Sequence, residues 1–157
     1  FLTFSVFHKY IFLLQYAGLY CMTGLTWNRI KHDVKVDKMN EQHKVLFNIL
    51  DALYKAMENK DDRNALVKII NDLITYSKQH LTTEEALLEK YDYPELAEQK
   101  EQHKLFIAKI EEFKEDFRKN HFMLHFNMAI FLKTWISNHI EVLDKKYSQF
   151  LNDRGVF

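Results

Sequence analysis

The chain's 157 residues suffice for one well-buried domain and are short for two. Lys plus Arg and Asp plus Glu stand at 22 each, so no net field directs the chain to nucleic acid or another polyanion. Thirteen Phe and eight Tyr beside three Gly and one Pro suit long helices around an aromatic core, and the lone Cys21 excludes an internal disulfide framework.

Residues 1–22 form an apolar, aromatic extension broken only by His8 and Lys9, and no formal charge falls between Tyr10 and Trp27. That run is barely long enough to span a membrane. Three roles are open to it: a membrane or export segment, a helix packed on the domain, or an extension that the working protein lacks. The chain does not open on Met, and Met22 offers a natural start for residues 23–157, which read as one domain. Membrane contact is expected only through residues 1–21, and the domain itself is expected in the cytoplasm.

Residues 27–40 carry short alternations ("DVKVDKM") and read as an extended arm. Four helical segments follow. The first spans about 41–58, with His43, Leu46, Phe47, Leu50, Leu53, Tyr54 and Met57 on one stripe. The second spans about 62–90, with Asp61 and Asp62 as candidate caps and Leu66, Ile70, Leu73, Ser77, His80, Glu84, Leu87 and Tyr91 on its stripe. Pro94 is placed to open the third, which runs to about 118 through Leu96, Gln99, His103, Phe106, Ile110, Phe113 and Phe117. The fourth spans about 123–152, through Leu132, Trp135, Ile136, His139, Leu143 and Tyr147. Spacings of three and four with short connections predict an all-α, up-down-up-down four-helix bundle.

Each helix sets polar donors on its inward face: His43, then His80 with Glu84, then His103, then His139 with Asp144. A single inward imidazole is commonly a hydrogen-bonded core residue. The set is harder to accommodate. Burying one unpartnered polar group costs roughly 2–7 kcal/mol, and an ionised carboxylate costs more. One bound cation, or two, satisfies all of them together. Imidazole and carboxylate donors without thiolate suit iron, manganese or zinc, and two carboxylates suit bridging between two ions. One spacing resists this reading. His139 and Asp144 are five residues apart, roughly 140° around an ideal α-helix, so both face the axis only through a long reach or a local π-type turn.

These residues sit in segments that resemble the hemerythrin family, specifically the bacterial hemerythrins. The segments are "LTWN" at 25–28, "EQHKVLF" at 41–47, "HLTTEEALLEKYDYP" at 80–94, "YPELAEQKEQHKLF" at 93–106 and "WISNHIEVLDKKY" at 135–147. Any one is weak; their order, intervals and joint content are specific over about residues 25–150. The resemblance implies a non-haem centre of two Fe ions that binds dioxygen reversibly. His43 and His80 would hold one iron, which keeps an open position. His103, His139 and a third histidine would hold the other. Glu84 and Asp144 would bridge them, with an oxo or hydroxo oxygen between.

The third histidine is absent. Its position, five residues after the Tyr-Pro pair and four before His103, holds Gln99. The amide oxygen of Gln99 can bind as a weaker, harder donor; the iron can be one ligand short; or the centre can have lost metal. Glu98 and Glu101 are rotated off the stripe, and His125 lies about 21 Å along the helix from His139. His8, His32 and His121 are expected outside the core. Asn40 stands where the family commonly has Asp, either weakening a cap or a supporting contact or lying neutrally on the surface. Leu46, Phe47, Leu50, Leu87, Ile107 and Trp135 are available to keep the centre dry, or serve as plain core. The expected function is oxygen carriage, storage or sensing without enzymatic turnover. The alternatives are a di-iron redox enzyme acting on peroxide or nitric oxide, favoured by Gln99, and a metal-depleted interaction module. Oligomeric state is left open.

Overall fold

A computed structural model describes residues 26–58, 63–119 and 124–157. The apolar extension, including His8, Cys21 and Met22, lies outside them, as do the cap candidates Asp61 and Asp62 and the loop residue His121. Among the described residues the elements are α1 (Arg29–His32), α2 (Asp37–Glu58), α3 (Arg63–Lys90), α4 (Leu96–Arg118), α5 (Leu124–Asn138), a π-helix (His139–Asp144) and α6 (Lys145–Asn152). The last three run on as one rod. α2 packs on α3, α3 on α4, and α5 on both α2 and α4, which closes a four-helix bundle. No described helix is long and apolar enough to cross a membrane.

The predicted inward stripes form the core. Leu46, Phe47, Leu50 and Leu53 of α2, Ile70 and Leu73 of α3, Phe106 and Ile110 of α4, and Leu132 and Ile136 of α5 are all at most 2% exposed. Burying each such side chain contributes about 1.5–3 kcal/mol relative to leaving it in water. Helix propensity alone would not hold these segments; the shared apolar face does.

Two boundaries differ from the sequence expectation. The arm is not extended throughout. Asn28 caps a single turn, α1, by accepting from the backbone N–H groups of Ile30 and Lys31. The first long helix begins at Asp37, because the Val36 carbonyl accepts from the Asn40 N–H at 2.9 Å. The alternation in "DVKVDKM" was thus shared between a short extended piece, with Val34 and Val36 buried, and a first helical turn that buries Met39. Pro94 lies in the turn before α4, whose first residue is Leu96. That turn is tight because Asp92 takes up a left-handed conformation (φ 55°), tolerated by Asp, while the Tyr93 N–H reaches the Leu88 carbonyl at 3.0 Å.

Asn40 is neither neutral nor at the surface. It is 9% exposed and clamps the arm: its Oδ1 accepts from the Val34 N–H at 3.0 Å, and its Nδ2 donates to Asp33 Oδ1 at 2.8 Å. An Asp here would lose the donor and set one carboxylate against another. Asn40→Asp is therefore expected to lower stability by about 1–3 kcal/mol at pH 7, with the deficit shrinking as protonation relieves the repulsion near pH 4. Urea unfolding at the two pH values measures this; equal stability to the parent at pH 7 contradicts the clamp.

Candidate metal centre

Among the described residues ten polar side chains are buried, and seven of them are the predicted donors His43, His80, Glu84, Gln99, His103, His139 and Asp144. Polar burial is therefore concentrated at one place. α2 supplies His43. α3 supplies His80 and Glu84 one turn apart, and α4 supplies Gln99 and His103 at the same interval, so each pair overhangs one spot. His139 and Asp144 are the first and last residues of the π-helix. Its wider turn absorbs the extra residue of the five-residue spacing and turns both side chains inward. Asp144 and Ile140 are 0% and 1% exposed, while Leu143, expected on the inward stripe, is only half-buried.

The donors fall into two groups that share Glu84: His43, His80 and Glu84, and Glu84, His103 and His139, within each of which the ligand atoms lie within 4.8 Å of one another. Glu84 Oε2 is 3.9 Å from His43 Nε2 and 3.8 Å from His80 Nε2. Its Oε1 is 3.2 Å from His103 Nε2 and 4.0 Å from His139 Nε2. Asp144 spans the same gap, with Oδ2 3.3 Å from His43 Nε2 and Oδ1 3.1 Å from His139 Nε2. His103 Nε2 and His139 Nε2 are 3.0 Å apart. Gln99 lies on that second side and donates from Nε2 to Asp144 Oδ1 at 3.3 Å.

These separations suit donors to shared cations. Two ligand atoms each about 2.1 Å from one ion lie about 3.0 Å apart at adjacent octahedral corners and about 4.2 Å apart at opposite ones, and the observed pairs fall in that interval. Two pairs of donors hydrogen-bond each other, His103 with His139 and Gln99 with Asp144, but much of the set is left unengaged. His43 Nε2, Glu84 Oε1, Asp144 Oδ2 and Gln99 Oε1 are buried without a hydrogen-bond partner. His43 Nε2 and Asp144 Oδ2 are 3.3 Å apart, yet neither bonds the other; they converge on common space. The residues fit the group that the sequence implies.

Protonation favours ligation on three of the four imidazoles. Burial lowers His43 to about 4 and His80 to about 3, and it holds His139 well below the usual range, so their lone pairs are free near neutrality. For His103 burial acts the same way but is outweighed by the Glu84 and Glu85 carboxylates, and its pKa is raised. Burial pushes Asp144 up to about 8.

Several supporting residues were not singled out from sequence. Gln42 accepts from His80 Nδ1 at 3.0 Å and Glu85 from His103 Nδ1 at 2.7 Å, which leaves each Nε2 facing inward. Both are chain neighbours of predicted donors, so their faces point across to the adjacent helix. The buried Tyr147 hydroxyl donates to Glu84 Oε2 at 3.0 Å; its place on the stripe predicts burial but not this bond. Trp135 stacks on His139 at 4.2 Å and on Phe106 at 3.9 Å, covering the centre. Leu46, Phe47 and Leu50 are fully buried, whereas Leu87 and Ile107 are only partly so, and Ile107 lines a surface groove. His32, expected outside the core, is 2% exposed. Its ring packs 4.4 Å from Phe47, its Nδ1 accepts from the Asn28 N–H at 2.8 Å, and its Nε2 is 3.3 Å from Glu141 Oε1. Glu98 and Glu101 are exposed, as their rotation off the stripe required.

The profile of the hemerythrin HHE cation binding domain matches residues 34–151. The chain belongs to that family, whose domain is named for binding cations. A bacteriohemerythrin of Clostridium acetobutylicum is 31% identical over 121 residues, covering 73% of this chain and 92% of its own. One from Methylococcus capsulatus is 24% identical over 131 residues, 83% of this chain and 99% of its own. A solved wild-type hemerythrin shares the fold with a TM-score of 0.75 at 24% identity, over 81% of this chain and 97% of that one.

Two expectations follow. In the ion-free protein the lowered His43, His80 and His139 take up protons on unfolding, so stability rises with pH between about 4 and their unfolded value of 6.5. The raised Asp144 acts oppositely, since the native state keeps a proton that the unfolded chain has released. It is outnumbered in that window and acts with the raised His103 above it, so stability falls again as pH climbs towards about 8. Chemical denaturation of chelator-treated protein should peak between pH 6 and 7, and a flat profile from 5 to 8 refutes this. Separately, deleting the exposed Val142 converts the five-residue spacing to four, which faces both donors inward on an ordinary α-helix. That variant is expected to unfold cooperatively and take up iron as the parent does; failure of uptake shows that the π-turn itself is required.

Proposed function

We propose that the chain is a non-haem di-iron protein that binds dioxygen reversibly. The observation that carries this reading is that Glu84 and Asp144 each direct one oxygen to either half of a single four-imidazole cluster. His43 and His80 would hold one iron, His103 and His139 the other, and the two carboxylates would bridge. The irons would supply the reversible redox change on which oxygen binding depends. The chain's own residues govern how clean that binding is. Tyr147, whose hydroxyl burial keeps protonated, holds Glu84 by donating to it. Phe47, Leu50 and the Trp135–Phe106 stack exclude water from the cluster.

Gln99 is the point at which this centre departs from its relatives. Its amide nitrogen is committed to Asp144, and its oxygen is buried and unpaired. That supports a weak oxygen donor in place of an imidazole. The proposal is tested by iron stoichiometry after anaerobic reconstitution, with an oxygen-difference spectrum that reverses under vacuum. Two irons per chain and a reversible spectrum are expected, and a colourless, iron-free protein overturns the reading. Gln99→His should bind iron more tightly and hold the oxygenated spectrum longer; if iron content and decay match the parent, the substitution is immaterial.

A further inference from the structure

The two halves of the cluster differ on their outer side as well as at Gln99. Of the four imidazoles, two are held by the outer nitrogen: His80 by the neutral amide of Gln42, and His103 by the carboxylate of Glu85 at 2.7 Å. The His43 and His139 Nδ1 atoms are buried without a partner. The charged support therefore falls on the half that lacks the third imidazole. A carboxylate accepting from Nδ1–H fixes the ring and makes the inward nitrogen a stronger donor.

Glu85 is not an ordinary surface residue that happens to lie near. It is 28% exposed, in a groove whose wall includes Lys78, Lys100 and Lys104. Those lysines engage Glu111, Glu89 and Glu101 at 2.8, 3.5 and 3.9 Å. The Glu85 carboxylate is turned instead to His103.

Resting on the proposed di-iron reading, we infer that Glu85 is a positioning residue that compensates for Gln99, strengthening His103 as a ligand so that the His103–His139 half retains its ion. The first ion would then enter the His43–His80 half independently of Glu85, and the second would depend on it.

Anaerobic titration with Co(II), followed by its visible ligand-field bands, resolves the two uptake steps in the full chain. Glu85→Ala should weaken the second step by about 10–100-fold and leave the first within about twofold. Glu85→Gln, which keeps an acceptor but removes the charge, should fall between Glu85→Ala and the parent. Adding Gln99→His to Glu85→Ala should restore the second step, a coupling that a merely structural role for Glu85 would not produce. Unchanged uptake in Glu85→Ala, equal weakening of both steps, or no rescue by Gln99→His overturns the inference while the di-iron reading stands. A parent chain that takes up no ion overturns both.

Discussion

Glu84 and Asp144, each 0% exposed, are buried between four helices with imidazoles on every side, and the rest of the molecule follows from that constraint. Two carboxylates cannot be taken out of water singly at acceptable cost. Protonation meets part of that cost, as the raised Asp144 shows, but it leaves Asp144 Oδ2, Glu84 Oε1 and His43 Nε2 without partners. Shared cations would meet the cost for all of them at once. They would also account for each carboxylate turning one oxygen to each half of the imidazole cluster.

The bundle keeps its four rods in contact while serving this centre through one local departure from helical regularity. An α-helix through residues 139–144 would have buried Leu143 and turned Asp144 away. The π-helix buries Asp144 and leaves Leu143 half-buried, while Tyr147 and Leu151 beyond it return to the core at 0% exposure. The apolar register thus survives an inserted residue, and the disturbance is confined to the turn that carries two donors. Such single-turn insertions are frequent at functional sites for this reason: they re-aim side chains without repacking a helix.

The four stripes and their donors were legible because burial imposes a period. His80 and Glu84, or Gln99 and His103, recur at the same interval as Phe106 and Ile110. The five-residue gap before Asp144 was legible as a conflict, and the π-turn is its physical resolution. What could not be read was whatever lacks a period. His32 and Asn40 lie in or beside a short, irregular arm, where burial depends on where the backbone turns and not on sequence spacing. Gln42 and Glu85 project to the side, and their targets on neighbouring helices are set by the relative heights of the rods. Tyr147 was placed correctly on its stripe, but its hydroxyl partner is 63 positions away in sequence.

The arm completes this account, since it belongs to the centre's enclosure as well as to the fold. Trp27 lies 6.4 Å from His43 and edge-on to Phe47 at 5.7 Å, and His32, also in the arm, packs at a tilt against the same Phe47 at 4.4 Å. Asn40 fixes the arm to α2, Lys145 reaches the Ile30 carbonyl at 3.3 Å, and Asn152 donates to the Lys35 carbonyl at 2.9 Å. The His43 side is thereby closed by an aromatic layer tied to both the first and the last rod. The His103–His139 side is covered by the Trp135–Phe106 stack over His139 and, at His103, by the partly exposed Glu85 carboxylate at a surface groove. Aromatic packing covers both halves, and the second is braced in addition by a charge within reach of solvent. The charge-braced half is the one that carries Gln99.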